Sequence, residues 1–384
     1  MNQPPRIGIV GGGQLGKMLT IAAKKLGFYV AVIDPTPNSP AGQVADKQIV
    51  ADYKDENAIR QLSEITDYIT FEIELANDQV LTELIQKGKY INPSPQTLSI
   101  IRDKLKQKKF LRDNKIPTAD FLEVKTTSNV AEAKEDIFKT AKIFGYPLVL
   151  KARTDAYDGR GNAIIRYKKA IDKAIDKLKD RALYIEKFVP FKKELAVMVA
   201  RSTKGDIAVY PVVETIHRDN ICDTVLAPAR ISQRAKKNAQ KLARKTMMQL
   251  QGAGVFGIEM FLLKNDNVLI NEIAPRVHNS GHYTIEASFT SQFEQHIRAV
   301  TGLPLGVTDM ITKAVVMKNI LGTGHGDGFP EGLEKALKVP DVSIHIYSKK
   351  ESRPARKMGH ITVVGKTINE CLRKANKARR ALTI

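Results

Sequence analysis

The sequence predicts an α/β protein built from three parts. Its N-terminal region alternates β-branched runs with helical stretches, which is the pattern of a parallel sheet with crossover helices. A hairpin that carries two acids is predicted over residues 256–273, and a small β-rich unit follows a Gly-Leu-Pro break at residues 302–304. With 384 residues, the chain is long enough for two or three domains and a substantial core. We therefore predict domains at residues 1–98, 99–305 and 306–384.

The cysteine content and the hydropathy indicate a soluble protein of a reducing compartment. Cys222 and Cys371 are the only cysteines, and they lack the spacing of metal ligands. The N-terminal residues have no apolar signal-peptide core, and no apolar run approaches the length of a membrane span. We expect a cytoplasmic protein with no membrane partner, in which both cysteines fill buried space.

The charge balance is strongly basic. Lys and Arg outnumber Asp and Glu by 61 to 41, which gives a net charge of +20, as in many nucleic-acid-binding proteins. The cations show no repeat and no interleaved aromatic residues for base stacking, and we expect runs such as Lys104–Lys109 to be solvated helix faces. Anionic small substrates account for the sign equally well. We therefore expect no nucleic-acid partner, and a non-catalytic nucleic-acid-binding protein stays as the distant alternative.

A glycine-rich turn joins the first predicted strand to the first predicted helix. The strand Arg6–Val10 enters Gly11–Gly16, and the helix Lys17–Leu26 follows. A second strand at Tyr29–Ile33 ends at Asp34. The spacing fits the G-x-G-x-x-G pattern of dinucleotide-binding proteins, with the acid near the position that binds a ribose. A glycine loop at a helix N-terminus binds any phosphate or anion, so NAD is only one of the possible ligands.

The next strand delivers two acids to the same edge of the predicted sheet. A helix at Glu56–Thr66 precedes the strand Tyr68–Phe71, and Glu72 and Glu74 follow that strand. Ligands of such sheets bind at the carboxyl ends of strands, so these acids are candidate ligand contacts. Solvated edge acids are the alternative interpretation.

Two stretches of the middle part indicate a phosphate site. Pro147–Lys151 is predicted to be a buried strand that ends in a lysine, and the glycine loop Tyr157–Gly161 follows it. A cation beside loop N–H donors suits phosphate oxygens, although an ordinary surface turn remains the alternative. Strands are also predicted at Arg181–Val189 and Glu194–Ala200, before a long cationic helix at Ser232–Leu250.

The acidic hairpin is where we place the chemistry. Its strands, Phe256–Leu263 and Val268–Ile273, flank a polar turn at 264–267 whose central Asn-Asp pair tolerates positive φ. A turn centred on that pair places Glu259 opposite Glu272. Opposed Cβ atoms lie roughly 4.5–5.5 Å apart, so two carboxylates there repel unless they share a proton or a hard cation such as Mg²⁺. A different register, with both acids in water, is the alternative.

Polar donors follow the hairpin, and cations recur near the C-terminus. Arg276, His278, Asn279, Ser280 and His282 form a loop that suits an anion beside the acids. Five cations occur within nine residues in a segment interrupted by proline and glycine: Lys349, Lys350, Arg353, Arg356 and Lys357. A charge run is usually solvated surface, whereas a compact loop of this kind favours a phosphate site.

Three stretches together resemble a known family. They are N-E-I-A-P-R-V-H-N-S-G-H at 271–282, Y-D-G-R-G at 157–161 and R-P-A-R-K-M-G-H at 353–360. From about residue 6 to about residue 365, the chain resembles the N5-carboxyaminoimidazole ribonucleotide synthetase family of ATP-grasp enzymes. The twelve-residue match is far more specific than a short pattern.

The resemblance implies an ATP-grasp fold with an N-terminal Rossmann-like domain and a small β-rich C-terminal domain. ATP, with Mg²⁺, would bind between the two halves of the middle domain and phosphorylate bicarbonate to carboxyphosphate. The CO₂ released from it would be captured by the amine of aminoimidazole ribonucleotide, in a homodimeric enzyme of purine biosynthesis. A formate-using glycinamide ribonucleotide transformylase is the nearer alternative, because it would share the ATP and metal sites.

The resemblance also implies roles for individual residues. The catalytic set is Asp158, Arg160, Arg276 and Lys349, and the metal pair is Glu259 and Glu272. The ATP-binding set is Lys104, Lys151, Ala156, Tyr157, Asp158, Gly159, Arg160, Gly161, Asn162, Glu186, Lys187, Phe188, Val189, Glu194, His217, Asn271 and Glu272. The substrate-binding set is Gln14, Glu72, Tyr157, Arg276, His278, Asn279, Ser280, Lys349 and Arg356. The family usually has Gly in place of Ala156 and Gln in place of Asn162, which leaves the closure geometry of that loop open.

Overall fold

The N-terminal part forms the predicted parallel sheet. The computed structural model describes residues 4–124, 130–155, 161–178 and 180–384. The elements of this part are β1 (Arg6–Val10), α1 (Gln14–Lys25), β2 (Tyr29–Ile33), β3 (Lys47–Ile49), α2 (Glu56–Ile65), β4 (Tyr68–Phe71), α3 (Asp78–Gln86) and β5 (Tyr90–Ile91). Strands β1, β2 and β4 have the predicted bounds. The strand order is β3-β2-β1-β4-β5, and it reverses between β1 and β4, which is where such sheets bind ligands.

The middle part begins with two helices and a small antiparallel sheet. Its elements are α4 (Pro95–Arg102), α5 (Lys104–Asp113), β6 (Phe121–Glu123), α6 (Val130–Phe144), β7 (Leu148–Ala152), β8 (Asn162–Ile165), a 3₁₀ turn (Lys168–Ala170), α7 (Ile171–Lys177) and β9 (Leu183–Lys187), and the strand order is β6-β9-β7-β8. The predicted break before this part has a structural role. Ser94 caps α4 by accepting the N–H of Thr97, and Pro95 occupies the first helical position, where its missing N–H costs nothing.

Most of the strands after residue 192 form one large antiparallel sheet. Its elements and their flanking helices are β10 (Lys193–Arg201), β11 (Ile207–Val209), β12 (Val213–Arg218), β13 (Ile221–Ala227), α8 (Gln233–Leu250), β14 (Gly254–Leu262), β15 (Val268–Ala274), a 3₁₀ turn (Asn279–Gly281), α9 (Thr284–Ala287), α10 (Gln292–Thr301), β16 (Ala314–Leu321), β17 (Gly326–Asp327), α11 (Leu333–Leu337), β18 (Val342–Ile346), β19 (Glu351–Ser352), β20 (Lys357–Gly365) and α12 (Ile368–Arg380). The order is β15-β14-β10-β12-β13-β16-β20-β18, with β11 beside β10, while β17 pairs with β19. Because β13 pairs with β16, the predicted division at residue 305 falls between elements of a single sheet.

A hydrophobic cluster joins the N-terminal part to the large sheet. Helix α1 contacts α10, and Leu15, Leu19, Phe293 and Ile297 belong to one buried cluster. Full burial of such a side chain stabilises the fold by roughly 1.5–3 kcal/mol, so the cluster holds the N-terminal sheet edge against the rest of the molecule.

Two predictions made from the sequence concern the burial of the cysteines and the absence of membrane spans. Cys222 and Cys371 are buried with free thiols, as predicted. Within residues 4–124, 130–155, 161–178 and 180–384, no helix is long and apolar enough to cross a membrane.

Candidate active site

The acidic hairpin forms, and it opposes the two predicted glutamates. Glu259 on β14 pairs with Glu272 on β15, as predicted, and the turn residue Asp266 has the expected positive φ of 62°. The uniform register behind that prediction was wrong, because Met260 pairs with Ile270 and Asn271 is the extra residue of a bulge. A bulge of this kind re-aims side chains at a strand edge, and here it brings Glu272 opposite Glu259.

The two carboxylates differ in their neighbours. Lys104 forms an ion pair with Glu272, and this charge holds the pKa of Glu272 below its usual value although burial acts in the opposite direction. Burial, together with the charge of Glu272, raises the pKa of Glu259 to about 7. The Nε2 atom of His278 lies 3.6 Å from Glu259 Oε1. Among the described residues, a lysine therefore balances Glu272, whereas Glu259 forms no ion pair with a lysine or an arginine.

The hairpin fits a hard cation that is completed by ligand oxygens. Asn271 Oδ1 is buried and accepts no hydrogen bond from any residue that the structure describes. Together with Glu259 and Glu272, it adds a third oxygen to the hairpin. Among the described residues, no group of three or more His, Cys, Asp or Glu side chains could hold a metal on its own. Mg²⁺ is typically held by one or two carboxylates plus phosphate oxygens, which agrees with this donor set.

A second buried carboxylate lies beside the hairpin. Glu186 on β9 accepts from Lys151 at 2.8 Å, from Lys108 at 3.0 Å and from the hydroxyl of Tyr184 at 3.1 Å. Burial acts to raise the pKa of Glu186, but the two lysine charges prevail and lower it to about 2. The predicted strand-end lysine is thus paired with the predicted adenine-side acid.

Lys108 corrects the interpretation of the basic run at Lys104–Lys109. We predicted a solvated helix face, but the side chain of Lys108 is only 2% exposed and that of Lys104 is 12% exposed. Residues four apart lie on one face of a helix, so this face of α5 turns inward with Gln107 between the two lysines. Sequence reasoning missed Lys108 and Gln107, although the spacing from Lys104 was an available signal.

The predicted adenine and ribose contacts lie along the junction of β9 and β10. Lys187 ends β9, and Phe188 and Val189 lie in the connection to β10. Glu194 on β10 and His217 on β12 approach to 2.6 Å between Oε2 and Nδ1. Burial lowers the pKa of His217, but the neighbouring Glu194 carboxylate outweighs it and the net shift is upward.

The predicted phosphate loop is described only at its end. Ala156, Tyr157, Asp158, Gly159 and Arg160 lie outside the described residues. The carbonyl of Gly161 accepts the N–H of Ala152 at 2.8 Å, and Asn162 begins β8 opposite Lys151. The described end of the loop therefore lies beside Lys151.

The donors of the N-terminal glycine loop are bound to protein carboxylates. The N–H groups of Gly13 and Gly16 donate to Glu72 at 2.7 and 2.6 Å, and Gly12 N–H donates to Asp34 at 2.9 Å. A Cβ atom at Gly13 would meet Glu72 Oε1, so a larger residue there would displace this carboxylate. Burial raises the pKa of Glu72. Gln14 is half-buried at the start of α1.

Asp34 does not have the surroundings of a ribose-binding acid. It is buried and accepts from Tyr53 Oη at 3.2 Å and from the N–H of Thr36 at 2.8 Å, besides Gly12. These internal bonds occupy the carboxylate, which weighs against the dinucleotide alternative.

The loop after β15 presents Arg276 and His278 next to the hairpin. Arg276 Nε lies 3.4 Å from Glu74, which links this loop to the carboxyl edge of the N-terminal sheet. Burial lowers the pKa of His278 well below its usual value. The predicted Asn279 and Ser280 lie inside the protein: Asn279 exchanges two amide hydrogen bonds with Asn319, and Ser280 Oγ lies 2.8 Å from His278 Nδ1.

The C-terminal cations lie beside the N-terminal part. Lys17 on α1 donates to Ser348 Oγ at 2.8 Å, and the adjoining Lys349 donates to the carbonyl of Lys357 at 2.8 Å. Arg356 donates to the carbonyl of Glu351 at 2.6 Å. The structure thus brings the C-terminal loop to α1, and Arg276 to Glu74, so that all three parts of the chain border one region.

Comparisons of sequence identify relatives of this chain. Family models match residues 5–102 (ribonucleotide synthetase preATP-grasp domain), 109–293 (ATP-grasp domain) and 315–374 (phosphoribosylaminoimidazole carboxylase C-terminal domain). The chain is 44% identical over 376 residues to a phosphoribosylaminoimidazole carboxylase of Ogataea methanolica, covering 96% of this chain and 68% of that protein. It is 39% identical over 368 residues to an N5-carboxyaminoimidazole ribonucleotide synthase of Bacillus subtilis, covering 96% and 93%.

Solved structures similar to this chain are named for the same activity as the Bacillus subtilis relative. The N5-carboxyaminoimidazole ribonucleotide synthetase of Thermotoga maritima is 48% identical, with a TM-score of 0.87 and 99% of both chains covered. The N5-carboxyaminoimidazole synthase of Aspergillus clavatus, in complex with ADP and 5-aminoimidazole ribonucleotide, is 40% identical, with a TM-score of 0.89 and coverage of 98% and 99%. The predicted ATP-grasp fold is therefore confirmed. The chain belongs to the N5-carboxyaminoimidazole ribonucleotide synthetase family of ATP-grasp enzymes, ATP-dependent ligases of purine biosynthesis.

Proposed function

We propose that this chain uses ATP and bicarbonate to carboxylate the amine of 5-aminoimidazole ribonucleotide. The observation that carries the proposal is the arrangement of opposed carboxylates, cations and the Arg276 loop at a region bordered by all three parts of the chain. The Aspergillus clavatus relative, which is described with ADP and this ribonucleotide, supports the choice of substrates.

For ATP, we propose Lys104 and Lys151 as phosphate ligands. Each ammonium group is paired with a carboxylate in the structure, Lys104 with Glu272 and Lys151 with Glu186. Phosphate oxygens are charged as the carboxylates are, so each ammonium group can exchange its carboxylate for a phosphate oxygen and keep a charge-assisted hydrogen bond. Nucleotide binding would then draw Lys104 from Glu272 and free that carboxylate for the metal. Glu186 to Val189, Glu194 and His217 would hold the nucleoside.

Glu259, Glu272 and Asn271 would hold Mg²⁺. When bound, Mg²⁺ supplies charge neutralisation for the transferring phosphoryl group. The chain needs no covalent nucleophile, since phosphoryl transfer requires positioning and charge stabilisation above all. Asp158, Arg160 and the other loop residues outside the described ranges keep the roles implied by the family motif.

The proposed reaction has two stages. A bicarbonate oxygen attacks the γ-phosphorus of ATP, ADP leaves, and carboxyphosphate forms. Carboxyphosphate separates into CO₂ and inorganic phosphate, and the amine nitrogen then bonds to the carbon of CO₂ and gives up one proton to the phosphate just released. Glu72, oriented by two glycine N–H groups, would accept a hydrogen bond from the amine, and Arg276 and His278 would stabilise the carbonate charge. Lys349 and Arg356 would hold the 5′-phosphate.

Mg²⁺ as the metal, a homodimer and a cytoplasmic location are also part of the proposal. Mg²⁺ is supported by the hairpin donor set, while the dimer rests on the family resemblance alone. The cytoplasmic location is supported by two free thiols, which persist in reducing compartments.

An ADP-release assay with bicarbonate, with and without 5-aminoimidazole ribonucleotide, tests the function. We expect bicarbonate-dependent ADP release that the ribonucleotide stimulates, and incorporation of labelled bicarbonate into an acid-labile product. ADP release that requires formate and glycinamide ribonucleotide instead would favour the nearer alternative. The match of residues 315–374 to a phosphoribosylaminoimidazole carboxylase domain disfavours that alternative. Salt-dependent oligonucleotide binding without ATP hydrolysis would favour the distant one.

A further inference from the structure

Three buried glutamines each bind both backbone polar groups, the N–H and the carbonyl, of a single residue, and we call this paired contact a clamp. Gln107 accepts from the N–H of Ile273 at 2.9 Å and donates to its carbonyl at 3.1 Å. Gln292 binds the N–H and carbonyl of His278 in the same way, at 3.0 and 2.8 Å. Gln295 binds Gly306 at 2.7 and 2.8 Å. All three glutamine side chains are 0% exposed.

Two of these glutamines hold the ends of one short segment. Ile273 follows Glu272 on β15, and His278 lies two residues after Arg276 in the loop that follows this strand. The two clamped residues therefore mark the start and the end of the connection between the hairpin and this loop. The third clamp, on Gly306, lies outside this segment. The segment from Ile273 to His278, which directly follows Glu272, therefore has a buried amide fixed to each end.

The first clamp completes an otherwise open strand edge. Strand β15 lies at one edge of the large sheet, and its inner side pairs with β14. On its outer edge, Pro117 accepts the N–H of Ile270 and Thr118 donates to the carbonyl of Ile270. Gln107 pairs in the same way with the N–H and the carbonyl of Ile273. Hydrogen bonds on the outer edge therefore hold the residues before and after the bulge at Asn271 and Glu272. A bulge without such partners could change register, because unpaired edge groups specify no position.

The second clamp holds a loop that has no strand partner. Besides His278, Gln292 Nε2 lies 3.0 Å from His282 Nδ1, so a single amide joins both histidines of the motif. A Cβ atom at Gly281 would collide with Gln292 Oε1, which explains why glycine separates Ser280 from His282. The loop is thus wrapped closely around the amide.

We propose that Gln107 and Gln292 are positioning residues for the reaction, one at each end of this segment. Gln107 sets Glu272 against Glu259 for the metal, and Gln292 sets Arg276 and His278 for the ribonucleotide and carbonate. An amide is suited to both sites because it donates and accepts at once, whereas an apolar or a purely accepting side chain leaves one buried backbone group unpaired. The assignment of ligands rests on the proposed function, and the clamps themselves do not.

The test compares three near-isosteric variants, Gln107→Met, Gln292→Met and Gln295→Met. Each variant removes one buried clamp, so all three should lose comparable stability. We expect Gln107→Met to raise the Mg²⁺ concentration for half-maximal ADP release roughly ten- to a hundred-fold, because the loss of a residue that orients metal ligands typically costs that much in metal affinity. Gln292→Met should raise the KM for the ribonucleotide by a similar factor and leave the Mg²⁺ requirement unchanged. Gln295→Met should change neither constant.

A readout without turnover separates the two proposals. Hydrogen–deuterium exchange should become faster in peptides covering residues 270–274 in Gln107→Met and residues 276–282 in Gln292→Met, and in neither for Gln295→Met. Kinetic profiles and exchange identical to those of Gln295→Met would overturn the positioning role. An inactive wild-type chain in the ribonucleotide assay would instead overturn the proposed function, while the exchange result would still decide on the clamps. If a methionine variant does not fold, the corresponding Gln→Glu variant, which keeps the shape and the acceptor, takes its place with the same expectations.

Discussion

Glu259 and Glu272 are the residues on which the metal proposal depends. Replacing either one by Gln keeps the size of the side chain and removes half of the charge available to a cation. We expect turnover to fall by several orders of magnitude, because lost charge neutralisation in the transition state costs several kcal/mol. Steady-state ADP release measures the effect. Asp266→Asn in the turn of the same hairpin is the control and should leave turnover unchanged; near-normal turnover in Glu259→Gln or Glu272→Gln would refute the assignment.

Lys108 gives a second prediction at this scale. Lys108→Met leaves Glu186 with Lys151 as its remaining lysine partner. Glu186 should then hold Lys151 more firmly, and Lys151 should be less available to phosphate. We expect the KM for ATP to rise about tenfold, equal to roughly 1.4 kcal/mol, with the ribonucleotide KM unchanged. Lys106→Met, an exposed site on the same helix, serves as the control. Equal KM values for ATP in Lys108→Met and Lys106→Met would show that Lys108 has only a structural role.

The N-terminal glycine loop is an element whose donors and acid are already bound within the protein. Gly12, Gly13 and Gly16 donate to Asp34 and Glu72, so the pyrophosphate and ribose of NAD would find these partners occupied. We expect calorimetric titration with NAD or NADP to give no binding at micromolar concentrations.

A clear NAD isotherm would revive the dinucleotide alternative. Gln14→Ala provides the positive counterpart, and it should raise the KM for the ribonucleotide while the ATP constant stays the same. An unchanged ribonucleotide constant would remove Gln14 from the proposed substrate set.

The C-terminal loop is the second element with a testable role. Arg356 is proposed to hold the 5′-phosphate, and a charge-assisted contact contributes roughly 1.5–3 kcal/mol. Arg356→Ala and Lys349→Ala should therefore weaken the ribonucleotide about ten- to a hundred-fold in Michaelis constant and affect ATP much less. Arg373→Ala on the exposed face of α12 is the matched control. If both loop variants behave like Arg373→Ala, these cations belong to the solvated surface.

Across the whole molecule, His296 ties the N-terminal sheet to the large sheet. It accepts the N–H of Val255 through Nδ1 at 3.0 Å, so its Nε2–H donates to Thr70 on β4 at 2.7 Å. Burial lowers the pKa of His296 to about 4, below the value of about 6.5 expected in the unfolded chain. The unfolded state therefore binds the proton first, and the contribution to stability is complete above pH 6.5 and is lost as the pH falls towards 4.

This linkage gives a measurable pH dependence. Between pH 7.5 and pH 5, the free energy of unfolding should fall by about 2 kcal/mol through His296 alone. His296→Gln preserves a donor and an acceptor without titrating, so it should unfold at lower urea concentration at pH 7.5 but show a correspondingly flatter pH dependence. Parallel pH profiles for the two proteins would contradict the assignment.

The local pattern of the chain was sufficient for several strands and helices and for the opposition of the two hairpin glutamates. Strands β1, β2 and β4 have the predicted bounds, and Glu259 faces Glu272 as predicted. Period-2 alternation, turn chemistry and caps are properties of neighbouring residues, so they can be read from the sequence directly. The motif at 271–282 further indicated the family, which the comparisons confirmed.

Contacts between distant residues were decided only by the tertiary structure. The bulge at Asn271 and the pairing of β13 with β16 across residue 305 could not be predicted, since each depends on which elements pack together. The spacing of Lys108 from Lys104 indicated a shared helix face, but only the packing of α5 shows that this face is buried. The buried glutamines illustrate the reason: an amide in a helix looks like a surface residue until the strand edge it completes is brought beside it. Local periodicity records how a residue relates to its neighbours in sequence, whereas the partner of a buried polar group is set by the free energy of satisfying every donor and acceptor in the folded whole.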